Sequence, residues 1–294
     1  MKTTALNGKK PKKLDPRNLQ FKDYLLRKPR PKKLFLKWAN ELLWVARNVP
    51  QSKRKAVNNP KTKLGELGVM LNTMYFDCGC AGAGHCIQAW TAIAHGKMIT
   101  IPDLHILLLY QATAPFNPMD MSTNTGCYML DILKYWHQYG IFDGIQSHTI
   151  AAYVDLNPSH TVAKSKKIVG NIDQDHVKLS IEFFGPLYCG IRVPDFMNEQ
   201  ILAGEVLNPN TINNPPTINQ CQEGHTIVLI GYDEIGLIYI SLGTYYKMSW
   251  DFFARYADEA YCIITTDWIK KFKPTESNFQ IQKLFDDVKG ILAP

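Results

Sequence analysis

The sequence predicts an α+β protein in which a helical lobe is followed by an antiparallel β lobe. Three observations predict it. Between Leu34 and Tyr139 the apolar residues recur at helical spacing. From His148 onward they fall instead into short alternating runs bounded by Gly, Pro and Asn. At 294 residues, with 46% hydrophobic and 11% aromatic residues, the chain can also bury a core large enough for two unlike lobes. The expected division is a basic N-terminal arm with a short helix over 1–63, a helical lobe over 64–147 and a β lobe over 148–294.

Residues 1–20 are lysine-rich with few apolar groups and are expected to be disordered. Leu19 to Leu26 is a short apolar patch suited to docking on the body, broken by Pro29 and Pro31. Leu34, Trp38, Leu42, Val45 and Val49 predict an amphipathic helix over 34–49, and Gln51 to Lys63 a polar linker. A buried helix is expected from about Cys78 to Ala94. A second is expected from Asp103 to Gln111, with Asp103 near its cap. A third lies between Gly126 and Tyr139 and ends at Gly140.

His148 to Val154 alternates like a strand. His176 to Phe184 fits a short helix or a strand and stops at Gly185 and Pro186. Leu187 to Val193 reads as a strand, and residues 204–222 as a long Asn- and Pro-rich loop. Thr226–Tyr232 and Gly236–Leu242 predict a hairpin. Met248 to Ala257 is expected to be a turn and short helix, and Ala260 to Thr265 a last strand.

Charge is unevenly placed. Residues 1–63 hold 19 Lys/Arg against 3 Asp/Glu, a net of +16, while the remaining 231 hold 14 against 23, a net of −9. The arm is either a solvated tail or a contact for nucleic acid, an acidic membrane surface or an acidic partner; any nucleic-acid binding would be non-specific. No run approaches eighteen apolar residues, so no membrane span is expected. The basic start is no secretory signal, which points to a cytoplasmic or virion-associated protein. The seven cysteines, at 78, 80, 86, 127, 189, 221 and 262, lack the spacing of a disulfide scaffold or a zinc site, and no cofactor is called for.

One stretch carries chemistry. Asn72 to Ala94 opens with polar and small residues and runs into the apolar helix, placing Cys78 at its first turn. Unpaired N–H groups and the helix dipole favour a thiolate there. About 147 residues later Gly224 and His225 open a β-run. His85, seven positions after Cys78, is roughly 10 Å along the same helix face, too far to act as its base. It is expected to be a buried, hydrogen-bonded histidine.

These residues resemble the papain-like cysteine peptidases. The resemblance rests on Asp77-Cys78 opening a helix, Gly126-Cys127 opening a later one, Gly185-Pro186 before a strand, Gly224-His225 opening a hairpin and Ser241 to Thr244 closing it, in the family's order across roughly 65–266. The spacing from Asn72 to Cys78, the Ala-Gly-Ala-Gly-His85 helix and the stretch from Asp258 to Tyr261 are similar to a divergent bacterial and phage branch. The resemblance implies a two-lobe fold with an active-site cleft between the lobes. It implies Cys78 as nucleophile, His225 as its base, and the Asn72 amide with the Cys78 N–H as oxyanion donors.

One position departs from the family. The usual orienting asparagine is Ile240, and the usual tryptophan is Leu242. Ser241 is the substitute orienter, although strand alternation points it away from His225 unless a bulge intervenes. Two functions follow as expectations. One is a hydrolase of peptide or isopeptide bonds in a peptide or protein substrate. The other is a catalytically degenerate fold serving virion assembly or binding through the arm. Thiol redox exchange fits less well, because Cys78 and Cys80 are not a CxxC pair.

Overall fold

The computed structural model describes residues 7–26, 30–47, 67–157, 172–273 and 278–292. The expected linker Gln51–Lys63 lies outside them, as do residues 1–6. Residues 7–20, expected to be disordered, instead follow a defined path along the body. They are held by backbone bonds from Lys9 to Gly224 and from Lys10 to Cys127. A single turn of 3-10 helix, Phe21–Tyr24, then anchors the arm, with both aromatic rings buried near Phe279. The expected apolar patch thus docks as its composition suggests.

Helix α1 is Lys37–Arg47. It belongs to the core: the Trp38 indole N–H donates to Ile181 O at 2.9 Å, and its ring meets Trp268 edge-on at 4.9 Å. Helix α2, Cys78–His95, is buried from Cys78 through Ala94 and stops where Gly96 turns left-handed. Helices α3 (Asp103–Thr113) and α4 (Met129–Tyr139) complete the helical part, α4 ending on Gly140 as its sequence predicts.

The β part begins with a two-residue pair, β1 (Ile141–Phe142) and β2 (Ser147–His148), followed by β3 (Ala152–Asp155). The single strand expected over His148–Val154 is therefore two pieces. The ambiguous stretch before Gly185 is a helix, α5 (Gln174–Phe184), which Asp173 caps through the Asp175 and His176 N–H groups.

Strand β4 (Leu187–Val193) is followed by the short helix α6 (Met197–Ala203). The hairpin is β5 (Glu223–Tyr232) and β6 (Gly236–Ser241). Then come β7 (Thr244–Ser249), helix α7 (Trp250–Tyr256), β8 (Ala257–Ile264) and helices α8 (Thr266–Phe272) and α9 (Ile281–Leu292). The six long strands form one antiparallel sheet in the order β3-β8-β4-β5-β6-β7. No described helix is long and apolar enough to cross a membrane.

Small residues let α2 sink onto the sheet. The Tyr188 hydroxyl on β4 donates to Gly79 O at 2.7 Å, pinning the first turn. A Cβ at Gly82 would stand 2.8 Å from Thr226 Cγ2 and 3.0 Å from the Tyr188 ring. Alanine is worth about 1 kcal/mol over glycine inside a helix, but overpacking a tight contact costs about 1–3 kcal/mol. Gly82→Ala is therefore expected to lower stability by up to about 2 kcal/mol in urea titration. A rise in the urea midpoint would show that helix preference outweighs the contact.

Candidate active site

Cys78 is the first residue of α2, with Asp77 as its N-cap. The Asp77 side chain does not cap the helix. It is buried, accepts from Asn72 Nδ2 at 3.2 Å through Oδ1, and leaves Oδ2 without a partner. Burial pushes its carboxyl well above the ordinary range, favouring the neutral acid beside the thiol. The Asn72 amide, expected to stabilise an oxyanion, is thus engaged by Asp77 and more distantly by Tyr75 O at 3.5 Å.

The Cys78 thiol donates to Thr226 Oγ1 at 3.7 Å, the residue next to His225 on β5. It is 1% exposed, and burial first, then the Cys127 thiol, push its proton affinity well up. His225 is equally buried. Its Nε2 lies 2.8 Å from Ser241 Oγ, and its Nδ1 has no partner. No hydrogen bond joins the Cys78 thiol to the His225 imidazole. The structure therefore pairs His225 with Ser241, Cys78 with Thr226, and Asn72 with Asp77, the residue before Cys78.

The register of β5 and β6 contains the bulge that Ser241 needed in order to face His225. Val228 pairs with Ile240 and Leu229 with Tyr239. The register shifts between Leu229 and Gly231, and beyond this bulge alternation places Ser241 on the face shared by His225, Ile227 and Leu229, diagonal to the histidine. Ile240 falls on the other face with Val228. The serine hydroxyl, not residue 240, takes the imidazole's second nitrogen.

His85 is buried as expected, with Nδ1 2.8 Å from Gln88 Oε1 and Nε2 unpartnered. It lies near enough to His225 to add to the lowering that burial imposes there.

Sequence reasoning missed what runs beside this site. Arm residues 8–10 run between Cys127 and Gly224. Cys127 N–H donates to Gly8 O at 2.8 Å, Lys10 N–H to Cys127 O at 2.9 Å and Lys9 N–H to Gly224 O at 3.0 Å. A Cβ at Gly8 would stand 2.3 Å from Phe76 O, and one at Gly126 would stand 2.2 Å from Gly8 O.

The Lys9 side chain is fully buried, its ammonium 2.9 Å from both Asp258 Oδ2 and Glu259 Oε1. Lys12 pairs with Asp155 and Lys13 with Asp131. The acidic partner the arm's charge called for is, for these lysines, the chain's own body. Only the excess of lysines before residue 14, set against a net-acidic remainder, could have signalled this.

No family model matches the chain, and no curated protein matches it. Solved structures do. Xylellain, a cysteine protease from Xylella fastidiosa, is similar over 90% of this chain and 98% of its own, at 14% identity and a TM-score of 0.50. Procathepsin B S9 from Trypanosoma congolense is similar over 89% of this chain and 87% of its own, at 11% identity and a TM-score of 0.51.

Burial holds both imidazoles neutral, pushing His225 down to about 3 and His85 down to about 4 from 6.5. In the unfolded chain each takes a proton near its ordinary value, so the folded state binds fewer protons from about pH 6.5 downward. Their contribution is fully present above 6.5 and drains as pH falls towards those lowered values. The expected loss at pH 5 is on the order of 2 kcal/mol per imidazole, read from urea midpoints at pH 7.5 and 5. His225→Asn should remove about half of this acid sensitivity. An unchanged pH profile would mean that His225 takes up its proton without hindrance in the folded protein.

Proposed function

On the papain-like fold that this chain adopts, we propose that the protein is a cysteine hydrolase of peptide or isopeptide bonds, held latent by its own N-terminal arm. The observation that carries the reading is the His225 imidazole. One nitrogen is anchored on Ser241 Oγ at 2.8 Å, and the other is left unpartnered on the strand whose next residue meets the Cys78 thiol. The bond fixes the ring's angle, and with Nε2–H donating to the serine oxygen, Nδ1 is free to take up a proton.

In this reading displacement of residues 8–10 opens the cleft, and the thiol exchanges Thr226 for His225 Nδ1. The thiol proton passes to Nδ1 as sulfur attacks the substrate carbonyl. The oxyanion is met by the Cys78 N–H at the start of α2, where helix N–H groups lack intrahelical acceptors. The imidazolium then gives its proton to the leaving amine, and water, losing a proton to the same nitrogen, hydrolyses the thioester. Asn72 joins the oxyanion donors only by releasing Asp77.

A second reading has its own observations: the thiol is buried, its proton affinity is raised, and it has no bond to His225. These favour a degenerate fold that binds rather than cleaves. Its nucleic-acid form draws less support, since Lys9, Lys12 and Lys13 are already spent on carboxylates of the body.

Labelling by a peptide vinyl sulfone at pH 7, followed by mass spectrometry, decides between the two. The hydrolase reading expects adduct at Cys78 in the native chain, none in Cys78→Ala, and a rate lowered by roughly 100-fold or more in His225→Ala. Absence of adduct in the folded chain, even with the arm weakened by Lys9→Ala, would establish the second reading.

A further inference from the structure

The Lys9 side chain occupies a built cavity. Its ammonium touches Asp258 Oδ2, Glu259 Oε1 and, at 3.1 Å, Lys10 O. Arg192 Nε also reaches Asp258 Oδ2 at 3.0 Å, and Tyr261 donates its hydroxyl to Glu259 Oε2 at 3.1 Å. One wall is glycine. A Cβ at Gly190 would stand 2.1 Å from Lys9 Cε and 2.7 Å from Cδ, so any side chain on β4 at this point would fill the channel.

Charge decides what the cavity accepts. Two buried carboxyls face one guanidinium, and burial raises Glu259's proton affinity, so without Lys9 one carboxyl either stays uncompensated at a cost of several kcal/mol or takes up a proton. Asp258 Oδ1 is buried with no hydrogen-bond partner even now. A neutral side chain of the same length would fill the space and leave that deficit. The mouth is beside the thiol: Gly190 pairs with Thr226, whose hydroxyl meets Cys78, and the backbone of Lys9 is bound by Gly224, the residue before His225.

We propose that the Gly190–Asp258–Glu259 cavity is a binding pocket for a lysine side chain of the peptide substrate, filled by Lys9 while the arm is docked. This rests on the hydrolase reading for the word substrate, though not for the binding. The pocket selects a peptide by a long side chain ending in a cation and lays its backbone between Cys127 and Gly224, across the start of α2.

The test uses the full chain carrying Lys9→Ala, with acetyl-Gly-Lys-Lys-amide as probe and its analogue bearing norleucine in the middle position. Calorimetry is expected to give at least roughly tenfold tighter binding of the lysine peptide, a difference erased by adding Glu259→Gln. Equal affinity for the two peptides, or no binding by a folded Lys9→Ala chain, overturns the pocket. Should Lys9→Ala fail to fold, Glu259→Gln alone serves. Hydrogen exchange at the Lys9 and Lys10 amides should then quicken at least roughly tenfold, and unchanged exchange overturns the pocket. Lysine-selective binding with no adduct at Cys78 would sink the hydrolase and keep the pocket. Cleavage with no preference for lysine over norleucine would do the reverse.

Discussion

The contact between the first turns of α2 and strands β4 and β5 fixes everything the site depends on. Tyr188 holds the backbone at Gly79, and Thr226 meets Cys78 at one turn and Gly82 at the next. Larger residues at 79 or 82 would lift the helix from the sheet and separate the thiol from the strand bearing His225. The same closeness seals the thiol from water and raises its proton affinity. Position and ionisation are therefore opposed: the packing that brings Cys78 to β5 also holds it as a neutral thiol while the cleft is filled.

The arm is held beside that contact by bonds of two kinds. Backbone bonds to Cys127 and Gly224 read no side chain, except that the residue before Lys9 must be glycine, since a Cβ there would strike Phe76 O. Ion pairs through Lys9, Lys12 and Lys13 select a basic peptide. The buried Lys9 pair is the specific element of the set. Lys13 with Asp131 is largely exposed, and such a pair contributes at most about 1 kcal/mol.

Much of this was legible in the residues. The helix from Cys78, the hairpin after Gly224 and the change from helical to alternating periodicity all stand where the pattern puts them, because each is a local signal reinforced by burial. The segment 176–184 was ambiguous, since an apolar run of that length suits either period; the Asp173 cap decides it. Ser241 could be placed only conditionally, because the bulge between Leu229 and Gly231 that turns it towards His225 is a property of two paired strands, not of one. The arm's path was illegible for another reason. A lysine run looks solvated unless the carboxylates that neutralise it, 249 residues away for Asp258, are known to be adjacent.

The turn at Phe21–Tyr24 has a consequence for how the cleft can open. Phe21 and Tyr24 are core residues, so Lys9 withdraws on a leash of about eleven residues whose far end stays fixed. A tether that short keeps the displaced segment at an effective concentration in the millimolar range. Any peptide arriving from solution must outbid that local supply for as long as the tether is whole. Severing the chain between Lys13 and Phe21 would turn a reversible occupant into a diffusible one, and dilution would then do what competition alone does poorly.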